Sequence, residues 1–450
     1  MSSRQRRRPL FVVLASALVL VGVVSSLSKT PNPSSLPGGL GVAPNAESTA
    51  LYCTGLSGDV GPLEGHVIFL NTTDAVRSVL VEVVNDLGQR AQVSVKVAAH
   101  ATQLVSPITV LKGHSYALEA QVTGGGVVAQ EVTRTGMAEV PCTSTGVTNW
   151  YGAGFDTLVG SSGELSIYNP TATPAVFNVA AYTAAGYSAP APFQGLSVGA
   201  HSQMELNLGT QIVNTTNIGV HVSVLRGSVT IVGVQKSGAV VSLASGATSL
   251  AKTMWLPRVT TVTNAAAEIR VANPGPLSAN VTVHVALSPY TIAPQSVTVA
   301  PYSSGEVIIT PNSAIPANGY AAVTLTSSQP VFSSLASGTS AGIALWSPQR
   351  PSRDFLVSDF SSHGFDAATV TNTSTRSITV RFTTVGAQSM TGTATLTGHS
   401  TQNILSLFRG LSTLSATTLT VQSSAPVLLV TTTLPSTPKG VDVVAALDGR

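Results

Sequence analysis

Two stretches of the chain match G-x-S-x-G: Gly195-Leu-Ser197-Val-Gly199 and Gly338-Thr-Ser340-Ala-Gly342. That pattern can hold a nucleophilic serine on a strained strand-to-helix turn and serve acyl transfer. Neither match is followed by residues with a helical apolar period, and a chain with 40 glycines and abundant serine makes such matches by composition. Both therefore predict turns, and no catalytic serine is assigned. His114, His201 and His399 recur in a Gly/Ala-His-Ser setting, yet no H-x-x-x-H spacing joins any two histidines. Spread over separate copies of a repeat, they read as exposed turn residues and not as one metal centre. Glu164 and Glu268 each stand five residues before a recurring asparagine, where His66 and Ala367 take the place in the other copies. They read as strand-edge charges that discourage sheet-to-sheet aggregation. Neither a metal-ligand set nor a cofactor-binding glycine loop is present in the sequence, so the chain predicts no metal, no cofactor and no enzyme activity.

Cys53 and Cys142 are the two cysteines, and they lack the C-x-x-C spacing of a redox or zinc pair. In an exported chain they predict one disulfide, worth about 4 kcal/mol by loop entropy for a closure of this length.

Export is itself predicted by the N-terminus. Arg4, Arg6, Arg7 and Arg8 precede the uncharged apolar run Leu10 to Leu27, and the positive-inside rule sends the remainder of the chain across the membrane. Residues 1-9 read as a cytoplasmic basic segment and 10-28 as a transmembrane anchor, with a cleaved signal as the alternative. Residues 29-45, rich in Pro, Gly and Ser, read as a linker. Removing the four leading arginines leaves 18 basic against 19 acidic residues, so the exported part is near neutral. Only 9% of residues are charged, and no basic patch with interleaved aromatics suggests a nucleic-acid partner.

The elements that must position any site repeat at about 100 residues. Val67-Ile-Phe-Leu-Asn71, Leu165-Ser-Ile-Tyr-Asn169, Ile269-Arg-Val-Ala-Asn273 and Ala368-Thr-Val-Thr-Asn372 each end a strand pattern in asparagine. Residues four and two before the asparagine share one face, the period of a half-buried strand. The asparagine can close an Asx-turn. A second strand follows each time, ending in two copies at Gly88 and Gly186 as a hairpin requires. A small-residue turn comes next: Gly113-His114-Ser115, Gly199-Ala-His201-Ser202, Pro301-Tyr302-Ser303 and Gly398-His399-Ser400. Late strands then begin at Val229, Val331 and Val427, while the first copy falls out of register.

A repeat of this length with many short strands is a whole β-sandwich. The expected fold is all-β, with tandem immunoglobulin/fibronectin-like sandwiches over 46-146, 147-250, 251-343 and 344-450. The Cys–Trp–Cys signature of true immunoglobulin domains is absent. Trp150, Trp255 and Trp346 fall near the starts of repeats, with Tyr52 in the comparable place of the first. They read as domain-junction packing or, alternatively, as glycan-stacking platforms. Asn71, Asn214, Asn280 and Asn372 lie in N-x-[ST] sequons.

A basic N-terminus, one apolar segment, a Pro/Ser linker and Trp-led β-repeats with strand-Asn-Pro/Thr turns resemble an uncharacterised family of actinobacterial membrane-anchored or secreted envelope proteins, known as a domain of unknown function. The resemblance implies an envelope protein with a link to cell-wall glycans and carries over no catalytic residues. The expectation is a non-enzymatic ectodomain on the outer face of the membrane, a scaffold or spacer whose partner is cell-wall polysaccharide or an envelope protein. An envelope carbohydrate-active enzyme or esterase, and a secreted adhesin, are the alternatives.

Overall fold

Each recurring asparagine ends a strand whose alternate residues enter a core. Val67, Phe69, Leu165, Ile167, Ile269, Val271 and Val370 are all buried, as the period-two pattern predicts. The computed structural model describes residues 48–448 apart from 60–63, 134–138, 239, 262–266, 287–291, 310–318, 340–341, 361–364, 386–388, 408–416, 434–443 and 446. The basic segment 1-9, the anchor or signal 10-28 and the linker 29-45 lie outside the described residues. Among the described residues, no helix is long and apolar enough to cross a membrane.

The chain is all-β, and one strand order recurs four times. In the first repeat Ser48–Ser57, Ser115–Thr123, Arg77–Asn85 and Arg90–Val97 lie side by side in one sheet. Thr102–Val105, Gly65–Asn71, Val127–Thr133 and Glu139–Pro141 form the other. The second repeat copies this, with Gly186–Ser188, Ala175–Thr183, Ile218–Arg226 and Asn149–Phe155 facing Gln203–Asn207, Ser161–Tyr168, Thr230–Ser237 and Val240–Ala244. In the third and fourth repeats the sixth and seventh strands merge into Gly319–Thr339 and Thr417–Thr433, which pass from one set of partners to the other. Every pairing is antiparallel. In each repeat the first strand lies beside the sixth, in the sheet that does not hold the second. An immunoglobulin domain keeps its first two strands in one sheet, so the order here is a different one.

The crossing between sheets uses different chemistry in different repeats. Gly124, Gly125 and Gly126 all take positive φ between the two strands of the first repeat, and Gly227 does so in the second. Pro330 and Pro426 mark the crossings in the merged strands, at positions outside the paired register where a missing N–H costs no ladder bond. Gly342–Trp346 pairs with the second half of Gly319–Thr339 and completes the third repeat. That repeat therefore extends to Trp346, beyond the expected boundary at 343.

The asparagines do more than close a turn. Asn71, Asn169, Asn273 and Asn372 are fully buried. Each side-chain oxygen accepts the N–H two residues on, as in an Asx-turn. Each side-chain amide is shared among three carbonyls. For Asn273 these are Leu277, Val299 and Ala300, at 2.8, 3.2 and 3.0 Å; the other three copies repeat the set. This amide clasps together two loop carbonyls and the carbonyl that ends the fourth strand (in the second repeat, the short strand Leu196–Val198), at one end of the sandwich. Asn71 and Asn372 are thus buried sequons, whereas Asn214 and Asn280 face outward.

The turn that follows is also recurrent, but its first copy is not Gly113-His114-Ser115. His100, His201, Tyr302 and His399 occupy left-handed backbone at φ 53, 45, 54 and 50°. Counting from His100 places the late strand of the first repeat at Val127, and the register Asn71↔Val127 matches Asn372↔Val427. His114 lies at the opposite end of the sandwich, its N–H donating to Asp86 beside the Asn85 hairpin.

Candidate functional sites at the repeat junctions

Cys53 and Cys142 are joined, with Cα atoms 4.6 Å apart, and link the first strand to the segment that leaves the last. Glu131, only 1% exposed, sits beside them. One of its carboxyl oxygens accepts the Thr54 N–H while the other has no partner. Burial pushes this carboxyl well above the usual carboxylate range, with the Thr54 bond opposing, and Glu139 is raised in the same way. The two sulfurs are spent on each other, so this trio is not poised as a metal site.

Ser197 lies within the short strand Leu196–Val198 opposite Val176, not on a strand-to-helix turn. Ser340 lies outside the described residues. Glu164 and Glu268 are on strands flanked by neighbours on both sides, so they do not guard an edge. Glu164 pairs with Lys236 at 3.2 Å, and Glu268 accepts from Arg270 at 2.8 Å. Glu164 also lines a groove between the first two repeats with Asp59, His114, Glu205 and Lys236.

Trp150 is 2% exposed and buried in the core of the second repeat, where Leu345 and Ala336 of the third also pack. Its indole N–H donates to Ser245 at 2.8 Å. A ring so enclosed offers no face to a sugar, and the stacking alternative is withdrawn for it. Trp346 is on the last strand of the third repeat, partly buried against that repeat's core. It therefore does not open the fourth repeat. Trp255 is half-buried on its repeat's first strand, bridged to Gln349. The bridges Tyr52↔Thr143, Tyr151↔Ala247 and Trp255↔Gln349 mark Tyr52, Tyr151 and Trp255 as the equivalent aromatics. The chain offset is a single residue in the second repeat, which a search for tryptophan alone hides.

Two of these aromatics make contacts across junctions. Tyr52 meets Tyr168 of the second repeat with ring centres 6.3 Å apart, and Tyr151 meets Phe332 of the third at 5.3 Å. Polar links recur at the same places, from the strand after the left-handed turn of one repeat to the repeat before it. Gln203 donates to Ser115 at 2.9 Å, Gly305 accepts from Asn217 at 3.0 Å, and Thr401 donates to the Ala286 carbonyl at 2.9 Å. His201 faces Glu119 across the first junction at 3.7 Å. Tyr168 donates to Glu119 as well, and burial together with that carboxylate raises the phenol far above its usual range.

The second junction holds a buried ion pair that the sequence reading missed. Arg270 donates to Asp156 at 2.9 Å and to the Gly154 carbonyl at 2.7 Å, with side chains 3% and 0% exposed for Arg270 and Asp156. Asn217 donates its N–H to the same carboxylate, and Gln235 accepts the Asp156 N–H. The one available signal was a charge inside a strand pattern, at a position held by Ile68, Ser166 and Thr369 in the other copies.

Residues 114–405 match the family of unknown function DUF5719. The chain belongs to that family. The match begins inside the first repeat and ends inside the fourth. No curated protein matches the chain. Among solved structures it is similar to a tetra-tandem repeat in the extending region of a large adhesion protein, at 11% identity over 91% of this chain and 97% of that one, with a TM-score of 0.09.

Proposed function

We propose that this DUF5719 protein is a non-enzymatic ectodomain that acts as a scaffold and spacer in the cell envelope, on the outer face of the membrane. The reading takes the four paired-sheet repeats as tandem β-sandwiches of immunoglobulin-like architecture with their own strand order. The observation that carries it is the reuse of one junction: the end bearing the asparagine clasp docks on the preceding repeat through a hydrogen bond at all three junctions, joined by an aromatic contact at the first two. The Asp156–Arg270 pair adds a directional, charge-assisted lock at the second junction. Flexible linkers would give a string of domains, whereas docked ends hold a set spacing. Envelope glycan or an envelope protein is the partner, with the apolar run Leu10 to Leu27 as the tether.

The test measures the distance between spin labels on Val159→Cys in the second repeat and Leu277→Cys in the third. Both sites are exposed, and no free cysteine competes among the described residues. A single narrow distance, broadened by Asp156→Ala, is the expected result. A broad distribution in the parent protein would overturn the spacer reading. A second reading, an envelope carbohydrate-active enzyme, draws on the groove carboxylates Glu164 and Glu205. It predicts glycoside cleavage that Glu205→Gln abolishes.

A further inference from the structure

The second junction carries a surface that the spacer role does not use. Four of the nine tyrosines gather there: Tyr151, Tyr182 and Tyr187 from the second repeat and Tyr302 from the third, where the strand Gly186–Ser188 packs against Ser303–Ile309, which directly follows Tyr302. Tyr182 is buried at the centre, with Tyr187 at 5.5 Å and Phe332 edge-on at 5.9 Å between ring centres. His221 stacks on Tyr151 at 4.4 Å and shares a hydrogen bond with Asn149. The Tyr151, Tyr187 and Tyr302 hydroxyls all lie within electrostatic reach of the Tyr182 hydroxyl, which helps burial raise that phenol to about 12.

Burial accounts for only part of the cluster. Tyr187 is 56% exposed and Tyr302 45% exposed, in a chain where aromatics are 5% of residues. Tyr302 is also held in left-handed backbone, where a bulky side chain is disfavoured and glycine or asparagine would fit at lower cost. The other three copies hold histidine at this turn, so what sets the third apart is a phenol ring with nearly half its surface open. The surface combines aromatic faces with phenolic hydroxyls, the amphipathic chemistry that suits a ligand with both apolar faces and hydroxyl groups. Burial lowers the His221 pKa, so this ring remains neutral at neutral pH and adds no charge.

We propose that the Tyr187–Tyr302 surface at the second junction binds an uncharged polysaccharide, stacking the apolar faces of its pyranose rings on the tyrosines. This deepens the envelope-scaffold reading and rests on it for the supply of glycan. Because Tyr187 and Tyr302 come from different repeats, one bound strand would bridge the joint.

The test is affinity electrophoresis of the purified full-length chain through gels containing a soluble neutral β-glucan, a neutral mannan or, as a polyanion, polyglutamate. The variants are Tyr187→Ser, Tyr302→Asn, the double variant, and Leu87→Ala as an exposed apolar control in the first repeat. Asparagine tolerates the left-handed turn, so Tyr302→Asn keeps the fold. The expected result is retardation by a neutral polysaccharide that weakens about tenfold for each ring lost, with the control unchanged. Retardation that survives the double variant would overturn the assignment of the surface while leaving envelope binding in place. Retardation by polyglutamate alone, or by none of the three, would overturn the glycan proposal; the label-distance measurement then decides the spacer reading independently.

Discussion

Asp156 and Arg270 place a full charge pair where water does not reach, so the pair matters through what remains when half of it is removed. Arg270→Met leaves a buried carboxylate facing only the Asn217 N–H. The expected cost is about 3–5 kcal/mol, read by denaturant unfolding of the second and third repeats. Replacing both partners with apolar residues should recover much of that loss, since the desolvation penalty goes with the charges. Glu131 makes the opposite case. Its folded-state pKa lies well above the ordinary 4.5, so its contribution is fully present below 4.5 and is lost as pH rises towards the folded value. The first repeat should therefore lose thermal stability as pH increases from mildly acid to neutral, and Glu131→Gln should flatten that slope. Glu139 titrates in the same direction and leaves a residual slope in the variant.

At the scale of elements, the clasp at the end of the second strand is the part that local chemistry dictates most strongly. Asn273→Ala removes a donor from three carbonyls, of which Ala300 keeps the Ser303 hydroxyl, at about 1–3 kcal/mol for each group left without a partner or water. Asn273→Asp should be no better at neutral pH, because a carboxylate would then face those carbonyls; thermal melts of the two variants check this. His399 sits in left-handed backbone at φ 50°, so His399→Asn should stabilise the fourth repeat by up to about 1 kcal/mol. The strand and its asparagine were legible because both follow short-range rules, period two and the Asx-turn. The turn of the first repeat was not, since the gap from asparagine to the left-handed residue is 29, 32, 29 and 27 residues in the four copies. A nearby Gly-His-Ser at 113–115 therefore captured the alignment. Trp346 misled in the same way: which sheet a strand joins depends on a partner such as Leu335, not on its own residues.

For the whole molecule, the second junction was illegible because its parts are far apart in the chain. Asp156 and Arg270 are 114 residues apart, and nothing local to either predicts the other. The disulfide was legible because the chain's two cysteines leave one pairing. It also makes the repeats unequal. Reduction should lower the unfolding transition of the first repeat by about 4 kcal/mol and leave the other three in place, seen as one calorimetric transition moving among several.

The placement of that bond has a mechanical corollary. The chain enters the first repeat at Ser48 and reaches Cys53 on the same strand, while Cys142 leads directly to the second repeat at Asn149. Tension applied along the backbone passes from one sulfur to the other and never loads residues 54–141 between them. Those residues would span about 300 Å if drawn out. The first repeat is thus an inextensible link for as long as the bond stands, and under load any yielding is confined to the three repeats beyond it.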